Sequence, residues 1–176
     1  VVPIGGGGLC SGIGLALKAV RPEVEVVGVQ AASCLPGGSG FTIADGIAVK
    51  APGEFTMSIL DGLLSGLVSV TDEEISTAIV LLLERAKLVV EGAGAVGVAA
   101  LLGGQVVPAA SGTTVAVLSG GNVDAGLLHE LARRHETEAG RRVVVLTRVP
   151  GRPGSLATLL TLVGEEGANL IEVQHV

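Results

Sequence analysis

Apolar residues along this chain fall into short runs separated by glycine-rich turns, with helical spacing after several turns. Val1 to Ile4 predicts a buried strand, and apolar positions three or four residues apart from Leu9 to Val20 predict a helix. Four consecutive glycines, Gly5 to Gly8, lie between them. Because glycine has no Cβ, this backbone can bring several N–H groups towards one point at the helix start. Such a corner favours an anion, and we expect a phosphate there.

The glycine corner does not match the common nucleotide or hydrolase motifs. A dinucleotide fingerprint would need glycine at Ser11, and a P-loop would need lysine at Ile13. A serine-hydrolase elbow around Ser11 would need glycine at both Leu9 and Ile13. A flexible surface loop is the remaining alternative, although a linker is seldom held between a strand and a helix.

The alternation of apolar runs and turns continues to about residue 135, which predicts an open, mostly parallel α/β sheet with helices on both faces. Thr71 and Glu74 form a capping-box pattern at the start of a predicted helix. The apolar stretches predicted as strands are Val24 to Val29, Leu63 to Val70 and Thr113 to Leu118. The predicted helices run from Asp72 to Lys87, from the Glu91–Ala95 corner to about Leu102, and from a cap at Asp124 to Arg134.

Two further corners of small residues follow apolar runs, at Glu91 to Ala95 and at Ser119 to Asn122. In open α/β sheets, ligands bind beyond the carboxyl ends of the strands. We therefore expect these two corners and Gly5 to Gly8 to face one pocket.

A second domain is predicted after the polar stretch 136–141, which we interpret as a linker. Val143 to Val149 predicts a strand, Leu156 to Val163 a helix and Leu170 to Val176 a strand, which together form a βαβ unit. Residues 1–135 are then a first domain and residues 142–176 the start of the second domain. Since Val1 already stands within a predicted strand, we expect that an N-terminal portion precedes it.

Composition narrows the range of functions. The 176 residues are 48% apolar and carry a net charge of −6 with only 11 Lys and Arg, and neither Trp nor Tyr is present. A basic field and stacking rings are both lacking, which disfavours nucleic acid. The apolar stretch from Leu88 to Leu102 is too short and too interrupted to span a bilayer, and no signal segment opens the chain. The expected location is the cytoplasm.

Four motifs together resemble the threonine dehydratase (threonine ammonia-lyase) branch of the fold-type II pyridoxal-phosphate enzymes, which also includes serine racemase and serine dehydratase. These motifs are Pro3 to Leu9, Thr42 to Gly46, Glu91 to Ala95 and Ser119 to Asn122. From Arg142 the chain resembles an ACT domain, with a ferredoxin-like βαβ pattern that contains Arg152 to Leu156 and Gly167 to Leu170.

The resemblance implies that residues 1–135 are the C-terminal part of a catalytic domain that binds pyridoxal 5'-phosphate, and it assigns residues to the cofactor site. The backbone N–H groups of Gly5, Gly6, Gly7, Gly8 and Leu9 would hold the phosphate. Ser119 would bond to the pyridine nitrogen. Gly46, Glu91, Gly120 and Asn122 would line the ring pocket.

The chain also departs from the family pattern. The family's Schiff-base lysine lies in a Ser-x-Lys-x-Arg-Gly type segment before the glycine loop, and this chain has no such segment. Lys18, Lys50 and Lys87 occur in other contexts, so we assign no catalytic residue. The stretch Gln30 to Phe41 is shorter than expected. Some relatives carry a metal-ligating glutamate where Gln30 stands, and we predict no metal site.

The implied function is deamination of L-threonine, and of L-serine, by β-elimination to 2-oxobutanoate (or pyruvate) and ammonia, within amino-acid metabolism and isoleucine biosynthesis. Serine racemase or serine dehydratase activity is one alternative. A non-catalytic, ACT-type amino-acid-sensing module is another. The ACT-like part would bind an amino-acid effector, and we expect a homo-oligomer, a dimer or a tetramer, because an unpaired sheet edge associates readily.

Overall fold

The computed structural model of the protein describes residues 1–50 and 52–174, which form two compact units, Val1–Arg141 and the residues from Arg142 onward. The first unit contains a parallel sheet in the order β1-β2-β3. Its strands are β1 (Val2–Pro3), β2 (Val27–Ala31) and β3 (Gly66–Val70). Val2 pairs with Gly28, and Val29 pairs with Val68. The predicted α/β class with a parallel sheet is confirmed.

Helices connect and follow these strands. They are α1 (Gly8–Val20), α2 (Glu54–Leu60), α3 (Asp72–Leu81), α4 (Gly92–Leu102) and α5 (Ala125–Glu138). Short 3₁₀ turns lie at Ala32–Cys34 and Asp45–Ile47. A π-helical turn, Leu82–Ala86, continues α3, and Lys87 at φ 59 ends it in the left-handed conformation.

Two apolar cores lie on the two faces of the sheet. One contains Val29 and Val70 with the apolar residues of α3 and α4. The other contains Val2 and Ile4 with residues of α1 and α2. Because side chains alternate across a strand, these two cores require helices on both faces, as the sequence predicted.

Local sequence signals determine where the helices start. Thr71 accepts a hydrogen bond from the Glu74 N–H at 3.3 Å, and the Glu74 carboxylate accepts one from the Thr71 N–H at 2.7 Å, so the predicted capping box is confirmed. Asp124 accepts from the Leu127 N–H at 3.1 Å and caps α5 as predicted. That helix continues to Glu138, so the first half of the predicted linker 136–141 is helical.

Some strand predictions are wrong. The strand predicted over Val24 to Val29 begins three residues later, at Val27, where the pairing with β3 starts, and ends two residues later, at Ala31. Thr113 to Leu118 is not a regular strand. Within the described ranges it bonds to the sheet only at Val1, whose nitrogen donates to the Val115 carbonyl at 2.8 Å and whose carbonyl accepts from the Val117 N–H at 3.0 Å. A strand is defined by a continuous series of backbone hydrogen bonds to a neighbouring strand. Two hydrogen bonds to a single residue do not make such a series.

The second unit forms the helix α6 (Ser155–Glu165), close to the predicted bounds. Val143 to Val149 and the described part of Leu170 to Val176 are not strands, and Leu146 is 92% exposed. Two strands without further neighbours are only marginally stable in water. An apolar sequence pattern is therefore not enough for these two segments to form strands. Val176 lies outside the described residues. The ACT-like βαβ arrangement therefore stays a prediction.

None of the helices in the described part of the chain combines the length and the apolar character that crossing a bilayer requires.

Candidate cofactor site

The glycine corner joins β1 to α1. Gly7 stands at the N-cap position of α1 with φ 91, in the left-handed region, so the turn requires glycine there. No side chain caps this helix start. Within residues 1–50 and 52–174, nothing accepts a hydrogen bond from the backbone N–H groups of Gly5 to Leu9.

Unpartnered donors at the start of a thirteen-residue helix favour a negatively charged ligand. The space beside them is open, since a Cβ built on Gly6 or Gly8 would meet nothing within 4 Å. The corner therefore has both the donors and the room that a phosphate group needs. The phosphate site that the four glycines between a strand and a helix predict stays a prediction.

Ser119 to Asn122 follow a segment that is hydrogen-bonded to Val1, just before β1. The chain from Val115 to Val117 runs parallel to the start of β1, bonded to Val1 on both sides. Because the two segments are parallel, their carboxyl ends reach the same edge of the sheet. This edge carries Gly5 to Gly8 on one segment and Ser119 to Asn122 on the other.

The Glu91 corner packs against Gly120 and Asn122. The Glu91 N–H donates to the Gly120 carbonyl at 3.1 Å, and the Glu91 carboxylate accepts from the Asn122 N–H at 3.0 Å. A Cβ on Gly120 would lie 2.3 Å from Glu91 Oε1, so only glycine fits this approach. Gly94 allows a second close contact, because a Cβ there would lie 3.1 Å from the Gly120 nitrogen.

The 3₁₀ turn Asp45–Ile47 links the other corners. A Cβ on Gly46 would lie 3.0 Å from the Ala93 Cβ and 3.3 Å from Glu91 Oε1. A Cβ on Gly5 would lie 2.9 Å from the Ile47 Cα. Gly46 thus contacts the Glu91 corner, while Ile47 contacts the glycine corner.

Asp72, in the first turn of α3, holds the segment before this turn. Its carboxylate accepts from the Thr42 hydroxyl at 2.5 Å and from the Ile43 N–H at 3.3 Å. The Ala44 N–H in turn donates to the Thr42 hydroxyl oxygen at 3.1 Å. This attachment explains why Thr42 to Ala44, which have no regular secondary structure, keep a fixed path into the 3₁₀ turn beside Glu91.

Close contacts therefore link three of the motifs singled out in the sequence, Thr42 to Gly46, Glu91 to Ala95 and Ser119 to Asn122, and the glycine corner reaches them through Ile47. Ser119 is solvent-exposed next to Gly120, with its hydroxyl available to a ligand. The three lysines lie elsewhere: Lys18 is exposed in the last turn of α1, Lys50 approaches Gly40, and Lys87 donates to the Glu84 carbonyl.

Cys10 lies behind the glycine corner and is fully buried. Burial raises the pKa of its thiol. The protonated thiol is a weak nucleophile, so Cys10 is a packing residue. Among the described residues, no group of three or more His, Cys, Asp or Glu side chains is arranged to hold a metal ion.

One residue at the glycine corner was not predicted from the sequence. Thr56, in α2, donates its hydroxyl to the Gly6 carbonyl at 2.6 Å. The only local signal was Pro52-Gly53-Glu54, which is typical of a helix start. Nothing in it indicates a contact with Gly6.

Residues 1–147 match the family model described as pyridoxal-phosphate dependent enzyme, and the chain belongs to this family. An L-threonine ammonia-lyase of Thermotoga maritima is 45% identical over 188 aligned positions, which cover 99% of this chain and 46% of the relative. One from Geobacter sulfurreducens is 44% identical, again over 99% of this chain and 46% of the relative. The chain thus spans about half the length of these curated relatives.

Solved structures agree with this assignment. A threonine deaminase from T.th. matches with a TM-score of 0.62 and 36% identity, over 70% of this chain and 49% of that one. Maize serine racemase matches with a TM-score of 0.63 and 30% identity, over 80% of this chain and 47% of that one.

Pyridoxal 5'-phosphate is the cofactor of this family, and the residues present fit it. The unpartnered N–H groups of Gly5 to Leu9 are suited to a phosphate, which needs several donors at one point. The neighbouring corners around Glu91 and Gly120 are built of small residues that allow a close approach.

Proposed function

We propose that this chain is the phosphate- and ring-binding part of an L-threonine ammonia-lyase, which converts L-threonine to 2-oxobutanoate and ammonia. The observation that carries the proposal is a chain of close contacts, which runs from the unpartnered donors of the glycine corner through Ile47 and Gly46 to the Glu91 corner and Gly120. The L-threonine ammonia-lyases aligned over almost the whole chain support the choice of substrate.

The backbone of the glycine corner binds and orients the cofactor. The N–H groups of Gly5, Gly6, Gly7, Gly8 and Leu9 donate to its phosphate, and the α1 dipole favours the negative charge. When bound, the cofactor supplies a ring that accepts the electron pair left at the substrate Cα after its proton is removed. Gly46, Glu91, Gly120 and Asn122 line the side of the pocket that faces this ring.

Ser119 determines how strongly the ring withdraws electrons. Its hydroxyl donates a hydrogen bond to the pyridine nitrogen. A neutral hydroxyl does not hold that nitrogen protonated as a carboxylate would. A moderate electron sink of this kind suits β-elimination better than transamination.

The experiment is a product assay on the full-length protein that contains this chain. We expect 2-oxobutanoate from L-threonine, with slower formation of pyruvate from L-serine. Ser119→Ala should lower kcat and weaken cofactor binding. Ser58→Ala is the matched control, because Ser58 is exposed on α2 and, in the part of the chain that the structure describes, its hydroxyl bonds only to the Phe55 carbonyl of the same helix. The Ser58→Ala variant should leave kcat and cofactor binding unchanged.

Two other outcomes would contradict the proposal. D-Serine from L-serine with little 2-oxo acid would indicate a serine racemase, the activity named for the maize structure. Binding of an amino acid without any cofactor absorbance would indicate a sensing module instead.

A further inference from the structure

Thr56 makes an unusually direct contact with the glycine corner. Its hydroxyl lies 2.6 Å from the Gly6 carbonyl oxygen and 2.8 Å from the Gly53 carbonyl oxygen. A threonine has one hydroxyl hydrogen, so it donates to one of them at a time. The Gly6 carbonyl oxygen is the closer of the two, and the hydrogen bond to it is the one that joins α2 to the glycine corner.

This bond fixes the direction of a donor in the corner. In a trans peptide the C=O of one residue and the N–H of the next point to opposite sides of one plane. Because the Gly6 carbonyl points at α2, the Gly7 N–H points away from α2. That N–H is one of the donors without a partner among the described residues.

Further contacts hold Thr56 against the corner. A Cβ on Gly7 would lie 2.9 Å from both Cβ and Oγ1 of Thr56, so the Thr56 side chain packs against the Gly7 backbone as closely as glycine allows. Ser11, which is 5% exposed in α1, donates its hydroxyl to the Thr56 carbonyl at 3.4 Å. Thr56 thus contacts the glycine corner on one side and the first turns of α1 on the other.

A run of four glycines needs such a restraint. Glycine has more backbone conformations than any other residue, and those conformations are lost when a ligand orders the loop. A loop that is ordered beforehand binds its ligand more tightly, because less entropy is lost on binding.

We propose that Thr56 is a positioning residue, which orders the Gly6–Gly7 peptide for the cofactor phosphate. The inference rests on the proposed function, since it takes the corner to be the phosphate site. Thr56 acts through the backbone of the corner and does not itself touch the phosphate.

The test measures cofactor affinity in the full-length protein after removal of its cofactor, with pyridoxal 5'-phosphate and with pyridoxal, which lacks the phosphate. Thr56→Val keeps the shape and removes the hydroxyl, and it should raise the Kd for pyridoxal 5'-phosphate about tenfold. The Kd for pyridoxal should stay within about twofold, because no phosphate is involved. Thr56→Ser should restore wild-type affinity, and Ser58→Ala, on the same helix, should match wild type throughout.

The melting temperature of each cofactor-free variant separates positioning from folding. Loss of affinity for both ligands in parallel with a lower melting temperature would mean a structural role and overturn the inference. Unchanged affinity of Thr56→Val would also overturn it, while leaving the proposed function intact. A wild-type protein that binds pyridoxal 5'-phosphate no better than pyridoxal would overturn the phosphate site itself.

Discussion

The carboxylate of Glu91 accepts a hydrogen bond from the backbone N–H of Asn122 at 3.0 Å, and so joins two corners that lie 31 residues apart in sequence. Replacing Glu91 with alanine removes the acceptor and leaves this N–H without its partner. We expect the free energy of unfolding to fall by about 1–3 kcal/mol. Glu91→Gln keeps an oxygen at this position and should cost less than half as much. Urea denaturation of both variants measures the difference, and equal losses would show that the hydrogen bond is not the cause.

Gly120 should tolerate alanine only when Glu91 is shortened. The added Cβ would lie 2.3 Å from Oε1 and 2.5 Å from Cδ of Glu91. Gly120→Ala alone should destabilise the protein by about 1–3 kcal/mol through overpacking. In a Glu91→Ala background the clash disappears, so the same change should cost far less. The four proteins of this double-mutant cycle are compared by urea denaturation, and additive effects would contradict the close contact.

Gly28 in β2 gives a similar test within the sheet, away from the cofactor site. A Cβ there would lie 2.3 Å from Ile4 Cδ1 and 3.1 Å from Leu67 Cδ1. Gly28→Ala should lower the melting temperature. Ile4→Val, which removes Cδ1, should restore part of the loss when combined with it. A double variant less stable than either single one would show that the Ile4 contact does not limit this position.

The capping box at α3 predicts a pH dependence of stability. Burial alone would raise the pKa of Glu74, but hydrogen bonds from the Thr71 N–H, the Gln105 amide and the Thr71 hydroxyl outweigh it and lower the pKa below 4.5. A carboxyl whose folded-state pKa is depressed stabilises the protein above its unfolded-state pKa, and this contribution is lost as the pH falls through the folded-state pKa.

Glu74→Gln is the matched variant, because glutamine keeps the shape without titrating. Wild type should be more stable than Glu74→Gln at pH 7, and the difference should vanish as the pH falls below 4.5, the ordinary pKa of glutamate. A difference that is the same at pH 7 and at pH 3 would mean that the Glu74 charge adds nothing to the cap.

Local signals in the sequence were sufficient to predict several structural elements. Thr71 and Glu74 bond to each other within one turn, so the start of α3 follows from four adjacent residues. The glycine corner is equally local, since Gly7 needs its positive φ whatever surrounds it. These elements depend on neighbours that the sequence itself places together.

Other elements depend on distant partners. Thr113 to Leu118 and Val143 to Val149 are apolar enough for strands, but a strand also needs a neighbour along its length, and apolar pattern does not supply one. Thr56 was overlooked for the same reason, because its bond to Gly6 spans 50 residues. The meeting of Gly46, Glu91 and Gly120 was expected only from the rule that ligands bind beyond the carboxyl ends of parallel strands.

The central claim is that the glycine corner binds the cofactor phosphate. A crystal structure of the full-length protein with pyridoxal 5'-phosphate tests it most directly. We expect phosphate oxygens at about 2.9 Å from several backbone nitrogens of Gly5 to Leu9, with the ring beside Gly120 and its nitrogen at the Ser119 hydroxyl. A phosphate held by side chains elsewhere, with the N–H groups of Gly5 to Leu9 facing only water, would contradict the claim.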